Sequence, residues 1–119
     1  MSYVILRITG RTFREMDVFL KQVESYGDPE LLKNIQNEIL NNFDIGDTVS
    51  GTGGLRKFRM PDPTRGKGKR GGLRVLYLDL PNRGITYLFY LYGKGEAHDV
   101  SPQQKKALKA LVDQIKREE

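Results

Sequence analysis

The stretch from Leu73 to Tyr92, LRVLYLDL followed by PNRG and then ITYLFYLY, limits the possible folds more than any other part of the chain. Two runs rich in β-branched and aromatic residues flank a Pro-Asn-Arg-Gly turn, a pattern that predicts a β-hairpin. Its second arm, from Ile85, is almost uninterruptedly apolar and is expected in the interior of a sheet. The first arm carries an arginine, Arg74, near its start. An arginine there loses side-chain entropy and hydration unless it finds a partner. Two partners are open: an ion pair with Asp79 or Glu96, or an anion gripped by the planar guanidinium fork.

The residues just upstream favour the anion. From Gly51 the chain reads GTGGLRKFRMPDPTRGKGKRGG, and eight of its 20 Lys and Arg lie between Gly54 and Arg74, opposed only by Asp62. A cluster this dense repels itself and is expected at the surface, facing a polyanion. From Leu55 the pattern alternates: with Phe58 pointing inward, Lys57 and Arg59 share the opposite face of a strand. Met60 to Gly72, with Pro61, Pro63 and four glycines, then reads as a loop between two antiparallel strands. A charge run is often only a solvated surface element, but here it lies between Lys57/Arg59 and Arg74, all on predicted strands. Of Tyr90 and Tyr92, only one is expected to share the face of Lys57.

The flanking segments supply cover for this sheet. Tyr3 to Ile8 reads as a short buried strand. Thr12 and Glu15 form a capping-box pattern, with Phe13, Met16, Leu20 and Val23 at helical spacing, which predicts a helix from about Phe13 to Ser25. Asp28-Pro29 restarts a helix whose Leu31, Leu32, Ile35 and Ile39 share a face, and the two helices are expected to pack as a hairpin. Asn41 to Gly54 is a connection rich in turn formers, pinned by Phe43 and Ile45. After a loop from Gly93 to Val100, Ser101-Pro102 and Gln104 open a last helix with Ala107, Leu108, Leu111, Val112 and Ile115 on one face. The expected fold is α+β, a single domain over residues 1–119: a small antiparallel sheet with an N-terminal two-helix hairpin and a C-terminal helix.

Several classes of function fall away. No Cys is present, so disulfides and thiolate metal sites are excluded, and the lone His98 cannot build a metal site by itself. His98 reads as a solvated loop residue. Gly66, Gly68 and Gly71 match the spacing of a dinucleotide fingerprint but open a strand where that motif must open a helix. No apolar run reaches membrane-spanning length and the N-terminus lacks a signal-peptide pattern, so a cytoplasmic protein with no membrane partner is expected. Residues 1–50 hold five Lys/Arg against eight Asp/Glu, and residues 51–119 hold fifteen against seven. Nucleic acid is the first partner to expect for so basic a second half, ahead of an anionic membrane or an acidic protein.

Together GTGGLRKFR, GKGKRGGLRVLYL and LYGKGEAHDVS resemble the RelE/HigB-like toxins of bacterial toxin-antitoxin modules, over about Gly51 to Leu111. The resemblance implies a RelE-like fold and an mRNA interferase: an endoribonuclease that enters the ribosomal A site and cuts mRNA during translation, with neither metal nor other cofactor. It also implies a cognate antitoxin, of a helix-turn-helix, HigA-like kind, that neutralises it. The ribose 2'-OH would attack the adjacent phosphate, and cations would stabilise the charge gathered in the transition state. The family's basic strand positions place Lys57 and Arg59 at the scissile phosphate, Arg74 at its nonbridging oxygens and Lys94 near the leaving group. Tyr92 and Glu96 complete the catalytic set. Lys57, crowded by cations, is the candidate general base and Glu96 the alternative; Arg59 and Arg74 stay protonated and cannot serve. Arg56, Arg65, Lys67, Lys69 and Arg70 are assigned to RNA phosphates, since a glycine-rich loop cannot hold a side chain to catalytic tolerance. Many relatives carry Arg, Lys or Asn where this chain has Gly95, and its basic loop is unusually long. Two other functions fit the same residues: a ParE-like toxin that poisons DNA gyrase, which a supercoiling assay would detect, and a non-catalytic RNA-binding module.

Overall fold

The computed structural model describes residues 11–62, 72–93 and 100–118. The expected strand at Tyr3 to Ile8 therefore lies outside the described residues, as do Arg65, Lys67, Lys69, Arg70, Lys94, Glu96 and His98. The described chain is α+β. In order it runs β1 (Thr12–Glu15), α1 (Asp17–Ser25), α2 (Leu31–Asn41), β2 (Asp47–Thr48), β3 (Arg56–Met60), β4 (Leu73–Leu80), β5 (Ile85–Gly93) and α3 (Pro102–Arg117). The strands form one sheet in the order β1-β5-β4-β3-β2.

The predicted hairpin is present. β4 and β5 pair antiparallel from Leu80↔Ile85 to Leu73↔Gly93, and β3 pairs antiparallel with β4. β5 lies inside the sheet, between β4 and β1, as its apolar sequence requires. Between Leu76 and Tyr77 the register shifts, so that Leu76 faces Tyr90 but Tyr77 faces Leu88. The bulge leaves Phe89 as the extra residue of β5 and re-aims its neighbours, as bulges do.

The first segment departs from expectation. Thr12 to Glu15 is a strand, not the first turn of a helix, and it pairs parallel with β5, which makes the sheet mixed where an antiparallel one was expected. Its ends are fixed by the Thr12 N–H donating to the Gly84 carbonyl at 2.7 Å and the Met16 N–H to the Leu88 carbonyl at 3.0 Å. The Thr-x-x-Glu pattern offers the backbone a local cap, but β5 had an unpaired edge, and ladder bonds along it satisfy more donors than one capping box. Helix α1 therefore starts later, at Asp17, and buries Phe19 and Val23; Leu20, expected on the apolar face, is 37% exposed. In α2 the expected Leu31, Ile35 and Ile39 are buried, with Leu32 packed against them.

The two faces of the sheet carry separate cores. On one, Phe58, Met60, Leu73, Val75, Tyr77, Leu88 and Leu91 pack with Phe19, Val23, Leu31, Ile35 and Ile39 from α1 and α2. At about 1.5–3 kcal/mol for each fully buried large apolar side chain, this face supplies most of the driving force. On the other, Leu55, Leu76, Leu78, Phe89 and Tyr92 pack with Val112 and Ile115 of α3. Helix α3 begins as predicted: the Ser101 hydroxyl accepts from the Gln104 N–H at 3.1 Å and the Gln104 side-chain oxygen from the Ser101 N–H at 2.9 Å. Its other end is clamped, because Arg83 in the β4–β5 turn donates to the Ile115 carbonyl at 2.9 Å and to that of Lys116, while the Lys116 ammonium donates to the Gly53 carbonyl at 2.7 Å.

Candidate nucleic-acid interface

Sheet register brings the strand cations together. Arg59 stands directly across from Arg74, and Arg74 across from Tyr92, so one row of the sheet reads Arg59–Arg74–Tyr92. The next row on the same face reads Lys57–Leu76–Tyr90. Phe58 points to the opposite core, as the alternating pattern predicts. The same period of two puts Tyr90 and Tyr92 on one face, correcting the expectation that only one of them joins Lys57. Their rings are 6.1 Å apart and tilted by 52°. Tyr92 is buried, whereas Tyr90 keeps 38% of its surface exposed.

Two guanidinium groups facing each other across strands repel, and such a pair destabilises the sheet unless something of opposite sign lies between or beside them. The ion pair considered for Arg74 is not formed with Asp79. That carboxylate projects from the other face, where Arg11 grips it through two bonds of 3.0 and 3.2 Å and the Thr86 hydroxyl donates to it at 2.7 Å. The Arg11 guanidinium also lies 4.1 Å over the Phe43 ring. Arg74 instead donates from Nη1 to the carbonyl of Gly72 at 3.0 Å. That bond aims the guanidinium toward a neutral acceptor, and Glu96, the other partner considered, lies outside the described residues. Arg59 is exposed and, among the described residues, has no hydrogen-bond or ion-pair partner.

Arg56 is placed differently from the expectation. One residue from Lys57, it belongs to the other face, opposite Tyr77, and its guanidinium closes on the 44–48 loop. It donates to the carbonyls of Asp44 at 2.6 Å and Gly46 at 2.7 Å and to the Thr48 hydroxyl at 3.1 Å, with a longer contact to the Ile45 carbonyl. The Tyr77 hydroxyl reinforces the same loop by donating to Phe43 and Ile45 carbonyls at 3.0 and 2.8 Å. Four of the five Arg56 N–H donors are thus engaged by this clasp, on the face of the sheet away from Lys57 and Arg59. The clasp also seats Gly46 against β3. A Cβ at Gly46 would lie 2.1 Å from the Lys57 carbonyl oxygen, so the loop packs directly on the backbone that carries Lys57.

Helix α3 adds a cation that sequence reasoning missed. Lys105 joins Lys57, Asp47, Thr48, Val49 and Val100 around a recess of about 250 Å³. The available signal was its place in the first turn of α3, next to the apolar face that packs on the sheet. On the other side of Val100 a second recess of about 230 Å³ is lined by Leu76, Tyr90, Tyr92, Gln104, Ala107 and Leu108. Of the expected apolar face of α3, only Val112 and Ile115 are buried, and Leu111 is 38% exposed. The C-terminal half of the helix thus carries its buried residues, and its first half packs on the second core only through the half-buried Leu108, with Val100 just before it.

The arrangement can bind a phosphate between Lys57, Arg59 and Arg74 and present aromatic surface beside it. Of the eleven site residues expected from sequence, the structure groups Lys57, Arg59, Arg74 and Tyr92, sets Arg56 apart, and leaves the other six outside the described residues. Among the described residues no helix is long and apolar enough to cross a membrane. The chain matches no protein-family model.

Proposed function

We propose that this protein is a ribosome-dependent endoribonuclease toxin of the RelE/HigB-like kind, which cleaves translated mRNA and is held in check by a cognate helix-turn-helix antitoxin. The observation that carries the reading is the Arg59–Arg74–Tyr92 row with Lys57 in the next row: like charges set directly opposite one another, on rigid strands, at the open face of a sheet. A fold keeps such a pair at a cost to its own stability, and a phosphodiester gives the cost a use. The sequence likeness over Gly51 to Leu111 supports the same conclusion.

In the proposed reaction the ribose 2'-oxygen loses its proton and forms a bond to the adjacent phosphorus. The bond to the 5'-oxygen breaks, leaving a 2',3'-cyclic phosphate and a 5'-OH. Negative charge grows on the nonbridging oxygens, where Arg74, aimed by its bond to the Gly72 carbonyl, offers a preorganised donor and Arg59 a second cation across the strand. Lys57 is the candidate base for the 2'-OH, with Glu96 the alternative, and Lys94 serves the leaving oxygen. The phosphate contacts of Lys67, Lys69, Arg65 and Arg70 would add affinity without precise geometry.

The test is cleavage itself. Induced expression should arrest growth and generate new 5' ends within translated reading frames. Lys57→Ala or Arg74→Ala should slow the cleavage step in a preformed ribosome complex by at least ~100-fold, the scale of one lost oxyanion contact. A translated message that stays intact while growth stops would overturn the proposal.

A further inference from the structure

We propose that the recess between Tyr90 and the start of α3 is a nucleobase subsite: a base of the bound RNA stacks on Tyr90 while its phosphate meets Lys57 and Lys105 across Val100. The inference rests on the RNA-cleaving function proposed above and adds a binding site for a group that the cation row cannot recognise. The recess lies where α3 buries little of itself: Gln104 and Ala107 are exposed and Leu108 is half-buried. At the other end of the helix Arg83 and Lys116 fasten the last turn and Val112 and Ile115 are buried, while Leu76, Gln104, Ala107 and Leu108 line the recess.

The walls have the chemistry of a base site. Leu76, Val100, Ala107 and Leu108 supply apolar surface, and Tyr90 leaves 38% of itself uncovered in a place where the fold could have buried it. Tyr92, tilted against Tyr90 and itself buried, limits how far that ring can turn. Single-stranded nucleic acid is bound in this way, with bases stacked on aromatic side chains and the backbone tracked by cations. The volume of about 230 Å³ lies below the roughly 300–1,000 Å³ of pockets that enclose drug-sized molecules, which suits a single flat ring system.

Two polar features orient the occupant. The recess meets its neighbour at Val100, and that neighbour holds Lys57 and Lys105, so an apolar slot and a cationic slot stand side by side, matching a base and its phosphate. Asp47, on the same wall and directly opposite Lys57 in the β2–β3 pair, disfavours a phosphate beyond that point. Gln104 lines the recess with its carboxamide oxygen already committed to the Ser101 N–H. Its remaining polar group is the amide NH₂, a donor, which favours a base edge that presents an acceptor.

The experiment compares a fluorescein-labelled RNA pentanucleotide with the same strand abasic at its centre, by anisotropy at low salt, on the full chain. Wild type should prefer the base-bearing strand by roughly 5- to 150-fold, the range of one aromatic stack. Tyr90→Ala should abolish that preference, Tyr90→Phe should keep it, and Ala107→Trp, at an exposed helix position, should fill the recess and abolish it too. In all three the salt dependence of binding should stay the same, since the phosphate contacts remain. Tight RNA binding with a base preference untouched by Tyr90→Ala and Ala107→Trp would overturn the subsite. Ala107→Trp blocking a protein partner while sparing base preference would assign the recess to that partner instead. A base preference that behaves as expected, together with intact mRNA on ribosomes, would sink the nuclease and leave the subsite standing; no RNA binding at all would remove both.

Discussion

Arg59→Gln should make the free protein more stable and the RNA-bound protein less so. Arg59 faces Arg74 across β3 and β4, where directly opposed side chains start about 5 Å apart at Cβ. Arg74 cannot relax away freely, because its Nη1 is tied to the Gly72 carbonyl at 3.0 Å. With the two charges about 6 Å apart in a dielectric near that of water, appropriate for the exposed Arg59, the repulsion is ~0.7 kcal/mol. Gln keeps most of the aliphatic stem, so little packing is lost with the charge. For a domain of this size ~0.7 kcal/mol corresponds to a rise of about 2–4 °C in melting temperature. The assay is urea or thermal unfolding of both forms at low and high ionic strength. The gain should shrink toward zero near 1 M salt, where the screening length falls to about 3 Å. RNA affinity should move the other way at low salt. Loss of stability in Arg59→Gln at low salt would refute the reasoning, since it would mean that Arg59 holds the fold together and has no need of an anion.

Three further outcomes follow from the packing beneath the site. Burial pushes the Tyr77 phenol up to about 12, against the neighbouring Arg56, from an ordinary 10.0. Its folded value lies above its unfolded one, so its contribution is intact below pH ~10 and is lost as pH rises toward ~12. Tyr77→Phe should abolish that alkaline loss in denaturant midpoints while lowering stability at neutral pH by ~1 kcal/mol, for the one hydroxyl proton shared between the Phe43 and Ile45 carbonyls. Glu15 is also raised by burial, which outweighs the backbone hydrogen bond and the Gln36 amide, 3.3 Å away. Its stabilising contribution is complete below the ordinary 4.5 and is lost as pH rises through the folded value, so Glu15→Gln should stabilise the protein at neutral pH and gain less in acid. Gly46 has φ +85° and no room for a Cβ beside the Lys57 carbonyl, so Gly46→Ala should cost more than ~2 kcal/mol in a urea titration and loosen the strand that carries Lys57.

Residues whose signal is local were legible in the sequence. The β4–β5 hairpin needs only its turn and two apolar runs, and the Ser101–Gln104 capping box closes within four residues. Alternation separated Phe58 from Lys57 and Arg59, which was enough to predict the cationic face. Segments whose partner lies far along the chain were misread. Thr12 to Glu15 spells a helix cap, and only the free edge of β5 turns it into a strand. Arg56 differs from Lys57 by one position, but what engages it is a set of backbone carbonyls at residues 44–46, which have no sequence signature.

The uneven burial along α3 was the least accessible feature, and it matters most for the proposed site. Helical periodicity puts Ala107, Leu108, Leu111, Val112 and Ile115 on one side of the helix but carries no information about how closely each end approaches the sheet. Arg83 and Lys116, through bonds to the Ile115, Lys116 and Gly53 carbonyls, fasten the last turn, and neither has a sequence signature that announces it. The same helix seals the second core at Val112 and Ile115 and leaves Tyr90 uncovered near Gln104 and Ala107. The sheet face that carries Lys57, Arg59 and Arg74 thus has an apolar slot next to it, and under the proposed function the two together would hold the base of a nucleotide as well as its phosphate.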